Sequence, residues 1–160
     1  MGLDAHVYCD CFEKGKLANA PSGVTLRVEA DGSLGHEENL SSVESEMAWD
    51  QWREKSACEH RGGVLLHHRL GNISLIGLLR SELQRDASCF PILLGKVLYS
   101  GTHAGDFLEV NLIPPLKTEV ETLAGFKCSQ PKEQCFLTQF QKQMSELISA
   151  SLSVNKPIAF

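Results

Sequence analysis

The sequence predicts an α+β (or α/β) domain: a mixed sheet of about five strands with about four helices. Three observations predict it. Short stretches alternate apolar and polar residues with a period of two, as strands do, at residues 4–11, 24–29 and 107–112. Longer stretches step by three and four residues, as amphipathic helices do, at 43–57, 73–83 and 131–152. The two kinds interleave along the chain, and no repeat or linker separates them. At 160 residues the chain fits a single globular domain spanning residues 1–160, long enough to bury a core.

The first strand carries Ala5, Val7 and Cys9 on one face and Asp4, His6, Tyr8 and Asp10 on the other. A loop rich in breakers comes next, then strand 24–29, with Val24, Leu26 and Val28 on one side and a turn at Asp31-Gly32. Residues 33–40 are polar and read as loop. Ser41 and Glu44 form a Ser-x-x-Glu capping box that opens a helix running to about Ala57. On that helix Trp49 and Trp52 are three residues apart and can touch. They form either a packed pair or an exposed aromatic patch for a partner.

Strand 64–69 alternates Val64, Leu66 and His68 with Leu65, His67 and Arg69. Asn72 caps the next helix, whose stripe is Leu75, Ile76, Leu79 and Leu83. The short apolar run 92–99 suits a buried strand, weakened by Gly95. A tight loop, 100–106, leads to strand 107–112. Pro114-Pro115 starts a helix that Gly125 stops. The last helix begins at Pro131, and Phe136, Phe140, Met144, Leu147, Ile148 and Leu152 make its stripe. The tail, KPIAF, adds a short strand.

A net charge of −5 and a pI near 5.7 argue against a nucleic-acid or anionic-membrane partner, because no basic stripe is visible. No apolar run approaches a bilayer span; Ser74 and Gly77 break the best one. The start, MGLDAHVYCDC, lacks a secretory pattern, and His6 stands where a myristoylation signal wants Ser or Thr. The expected compartment is the cytoplasm, with all six cysteines reduced and behaving as small apolar side chains.

Two constellations carry chemistry. If strands 64–69 and 92–99 neighbour one another, the helix between them is a right-handed crossover and the strands are parallel. Their C-terminal ends then share one edge, where ligands gather in open α/β sheets. His67, His68 and Arg69 would leave one strand there, and His103 and Asp106 the loop after the other. Imidazoles with a carboxylate suit a divalent metal or acid–base catalysis. The plainer reading is a satisfied core histidine at His68, solvated His67 and His103, and a turn residue at Asp106. As a phosphate loop SGTHAGDF fails, since it lacks the Gly-Lys-Ser/Thr ending.

The second constellation is Cys9-x-Cys11 with Cys58-x-His60. Three thiols and an imidazole match the donor set of a tetrahedral zinc site. One obstacle is geometric. In an extended strand Cys9 and Cys11 point to the same side about 7 Å apart, too far for one ion unless the backbone turns at Asp10. Cys58, beside Glu59 and His60, also reads as a candidate nucleophile, though no family signature surrounds it.

The pieces MGLDAHVYCDCFEKGK, ACEH, HHRLGNIS, YSGTHAGDF and NKPIAF resemble a family of bacterial proteins of about this length with no assigned activity. The resemblance spans both ends and implies a complete single-domain protein. It implies no substrate, cofactor or catalytic residue. The residues themselves leave two functions open: a small cytosolic binding or accessory protein, such as an antitoxin-like immunity partner, or a metal-assisted hydrolase using the histidine edge.

Overall fold

The computed structural model describes residues 2–37, 40, 42–103 and 105–160. Strand β1, Gly2–Tyr8, is its axis. Leu3, Ala5 and Val7 are fully buried, and Asp4, His6 and Tyr8 take the other face, as the alternation predicts. Two 3-residue strands, β2 (Leu26–Val28) and β3 (Leu34–His36), pair as a separate antiparallel hairpin. The second of these falls in the stretch read as loop. Helix α1, Val43–Lys55, comes next, and then strand β4, Val64–Asn72. After helix α2 (Ile73–Leu83) and a π-helical turn (Leu93–Val97) comes strand β5, Phe107–Leu108. Helices α3 (Ile113–Thr122) and α4 (Gln134–Val154) precede strand β6, Ile158–Ala159. Among the described residues no helix is long and apolar enough to cross a membrane.

The main sheet has the order β4-β1-β6-β5, and its three pairings are antiparallel. The class is therefore α+β, and the mixed sheet is corrected to an antiparallel one among the described residues. The difference has one source, the apolar run 92–99. Short apolar runs fit a buried strand and a buried helical segment equally well by periodicity. Here Pro91 precedes the run, and the buried carboxylate of Glu119 accepts hydrogen bonds from Ile92 N–H (2.8 and 3.1 Å) and Leu93 N–H (2.8 Å). Those free amides at a helical start need an acceptor, and a carboxylate from α3 supplies it. Glu119→Leu is expected to lower the unfolding free energy by about 2–3 kcal/mol, because it strands these donors. Urea denaturation measures it, and Glu119→Gln, which keeps an acceptor, should lose less.

Other expected boundaries shift by local causes. Ser42, rather than Ser41, caps α1: its side chain accepts from Ser45 N–H at 3.2 Å, while Ser41 lies outside the described residues. Asn72 caps α2 as expected, accepting from Leu75 N–H at 2.9 Å. Strand 107–112 stops at Leu108, and a 3₁₀ turn at Val110–Leu112 feeds α3, with prolines in its first turn. On α4 the buried stripe is Leu137, Phe140, Met144, Leu147, Ile148 and Ser151. Phe136 and Leu152, expected in that stripe, are each 45% exposed.

Helices α2, α3 and α4 and the π-helical turn bury a large core against Leu3, Ala5 and Val7. A second, smaller core holds Trp49, Trp52 and Ala57, with Leu17, Val24, Leu26 and Leu34 packed on it. It sits at the C-terminal end of β1, beside the first candidate ligands.

Candidate metal centre

Strand β1 ends at Tyr8, and the path of residues 9–16 decides whether Cys9 and Cys11 can meet. Cys9 N–H still donates to Gly63 O at 2.8 Å, holding the chain against the start of β4. The backbone then turns: Lys14 N–H donates to Asp10 O (3.0 Å) and Lys16 N–H to Cys11 O (2.8 Å). The Asp10 carboxylate and Lys14 ammonium close the turn from outside at 2.7 Å. The turn at Asp10 removes the geometric obstacle. It places Cys11 inside, 3% exposed.

The other pair comes from the end of α1. Ser56 and Ala57 N–H both donate to Trp52 O at 2.8 Å, which ends the helix and turns the chain toward Cys58. Beyond His60 lies a 3₁₀ turn, closed by Gly63 N–H donating to His60 O at 2.9 Å. Gly62 (φ 60°) and Gly63 (φ 73°) occupy the left-handed region there, which a side chain would resist. These two turns bring four donors together. Cys9 Sγ lies 3.8 Å from Cys58 Sγ, and Cys11 Sγ lies 3.4 Å from His60 Nδ1. All four donor atoms lie within 4.8 Å of one another, a cluster that can hold a metal ion.

Without an ion the thiols keep their protons. Burial, then the hydrogen bonds and charges of Cys9 and Cys58, push the Cys11 thiol up to about 12. Burial also raises Cys58, against a backbone hydrogen bond from His60 that favours its thiolate. Crowded thiols oppose each other's ionisation; a bound divalent ion reverses that and draws the protons off. The same shift counts against Cys58 as a nucleophile, because nucleophilic thiols have a lowered pKa. Its sequence neighbour His60 also turns its Nδ1 to Cys11 instead.

The tryptophans are a packed pair. They are 5% and 8% exposed with ring centroids 5.4 Å apart, so the exposed-patch reading falls. Helix α1 turns this pair inward beneath the hairpin of β2 and β3, against Leu26 and Leu34.

The histidine edge fares differently. Strand β4 is one border of the main sheet and β5 the other, and among the described residues no parallel pairing joins the two sets. His67 and Arg69 are exposed on β4, and His67 Nε2 lies 3.5 Å from Asp4. His68 points to the helix side and meets Glu146 of α4 at 2.7 Å. His103 is buried across the sheet: its Nε2 donates to Val97 O at 2.9 Å, and its ring stacks on Tyr99. Asp106 lies 3.5 Å from His103 Nδ1 and hydrogen-bonds the Tyr99 hydroxyl. The structure thus joins His103 with Asp106, and keeps His67, His68 and Arg69 apart from them.

One grouping escaped the sequence reading. In the β1–β4 register His6 stands opposite His67. Both line an open cleft with Tyr8, Arg53 and Arg61. The alternation places His6 and Tyr8 on one face of β1, but only the antiparallel register with β4 puts His67 beside them.

Fold and site together define an antiparallel α+β protein whose Cys₃His cluster joins the end of its central strand to the loop before β4. Compared with protein-family models, with curated proteins and with solved structures, this chain matches none.

Proposed function

We propose that this chain is a binding or accessory protein whose smaller core is held by a structural zinc ion on Cys9, Cys11, Cys58 and His60. The observation that carries the reading is the spacing of the donors. Tetrahedral zinc with ordinary bond lengths sets sulfur–sulfur separations of about 3.8 Å and sulfur–nitrogen separations of about 3.6 Å. Two of the six donor separations here are 3.8 and 3.4 Å, and all six lie within 4.8 Å, a spread that a small closure of the turns brings to those values.

Four protein donors complete a tetrahedron and leave no position for a water or substrate, the mark of a structural rather than a catalytic site. This speaks for binding over metal-assisted hydrolysis. So does the separation of His67 and His68 from His103 across the sheet. The partner class that fits a binding role includes the immunity-type protein partner expected from size and charge. Metal analysis of chelator-free protein tests the zinc reading, with about one zinc per chain expected. Cys11→Ala and Cys58→Ala should each abolish stoichiometric binding, while the exposed Cys135→Ala should leave it unchanged. Protein that folds fully with no zinc, or zinc lost on His103→Ala, would overturn the assignment.

A further inference from the structure

We infer that the open face of the sheet beside the metal cluster binds a tetrahedral oxyanion, a phosphoryl or sulfuryl group, through His6, His67, Arg53 and Arg61. The inference rests on the binding-protein reading and names what is bound. Directly opposed residues of an antiparallel pair share a face, with β-carbons about 4.5–5.5 Å apart. His6 and His67 are such a pair. Their face is turned away from α2, α3 and α4, because Leu3, Ala5 and Val7 fill the other side of β1.

Each imidazole is held by a neighbour. His6 Nε2 shares a hydrogen bond with the Tyr8 hydroxyl (3.0 Å), and Asp4 stands 3.5 Å from His67 Nε2. Arg53 comes from α1 and Arg61 from the turn after His60, and both line the same open cleft of about 610 Å³, with Glu54 beside them. Glu54 holds Arg61 through its Nε at 2.6 Å, and Asp50 lies 3.7 Å from an Arg53 terminal nitrogen. These contacts orient the guanidinium groups without covering them: Arg61 keeps 84% of its side-chain surface open and Arg53 44%.

The cleft gathers donors from three elements, the β1–β4 pair, α1 and the turn after His60, and a tetrahedral anion can accept from all of them. A planar carboxylate is met by one arginine fork and needs no such spread. The ligand-free state also has a charge problem that an anion solves. Burial, then the nearby His67, hold His6 below its usual titration range, against Asp31 and Asp4. Two adjacent imidazoles resist joint protonation, and an anion between them favours it. Binding should therefore take up protons.

Calorimetry on the zinc-loaded protein tests this with sulfate, whose charge is constant near neutrality, and with inorganic phosphate and acetate. Sulfate should bind about tenfold more weakly at pH 8 than at pH 6. Acetate should be weaker than sulfate by about tenfold at pH 6. His67→Asn and His6→Asn should each weaken sulfate by about fivefold and flatten its pH dependence, with zinc content and tryptophan emission unchanged. Acetate binding as well as sulfate, affinity that ignores pH, or no sulfate binding below about 10 mM would overturn the inference. Zinc content measured on the same samples separates these failures from failure of the zinc reading.

Discussion

Removing the metal is expected to melt the tryptophan core while the larger core stays folded. The smaller core has three buried residues, Trp49, Trp52 and Ala57, whereas the larger one draws on β1, the π-helical turn and three helices. Structural zinc carries about 10–16 kcal/mol of apparent binding free energy in small metal-dependent domains. Three buried side chains at about 1.5–3 kcal/mol each do not replace that against the ordering of residues 9–37. Both tryptophans of the chain lie in this core, so their emission reports on it alone. Chelation, or Cys11→Ser, should shift that emission to the red and abolish the aromatic circular dichroism of the tryptophans. The helical signal of α2, α3 and α4 should remain.

The stability of this core should fall as pH falls. Burial and the neighbouring thiols push Cys11 up to about 12 where no ion is bound, so an ion must displace that proton to bind. The metal-bound form needs thiolates and loses its ion in acid. Tryptophan emission unmoved by complete metal removal would refute the dependence of this core on zinc.

Local chemistry was legible in the sequence wherever one residue decides one feature. Asn72 caps α2, the alternation of β1 separates Leu3, Ala5 and Val7 from His6 and Tyr8, and the four candidate metal donors can be named from their types. The features that could not be read are long-range. Whether Cys9 and Cys11 converge depends on the turn at Asp10, which the hydrogen bonds of Lys14 and Lys16 build. Whether residues 92–99 form a strand depends on Glu119, some 26 residues away, reaching Leu93 N–H. With 92–99 helical and β5 on the border opposite β4, the expected parallel crossover and the shared edge of His67 and His103 are both gone. The same cause hid the His6–His67 pair, since the register of β4 on β1 is a tertiary fact. Two bulges, between Leu3 and Asp4 and between Val7 and Tyr8, further adjust that register in ways alternation alone does not encode.

The second large effect expected is on the main core, through Phe140→Ala. Phe140 is 1% exposed at the middle of α4, among the largest fully buried side chains, and packs in the same core as Leu3, Ala5 and Val7. Truncating a buried phenylalanine removes its transfer energy and leaves a cavity, at a cost of about 3–5 kcal/mol. For a chain of this length that corresponds to a fall in melting temperature of about 6–20 °C. Phe136, one turn earlier on the same helix and 45% exposed, is the internal control. Phe136→Ala should cost under about 1 kcal/mol, although the sequence places both phenylalanines in one stripe. The two cores share β1, yet Cys9 and Cys11 lie beyond its end, held by their own turns. Phe140→Ala should therefore move the helical unfolding transition while leaving zinc content and native tryptophan emission unchanged. A loss no greater than that of Phe136→Ala would show that α4 does not anchor the core. Zinc released well below the new helical transition would show instead that the two cores unfold as one cooperative unit.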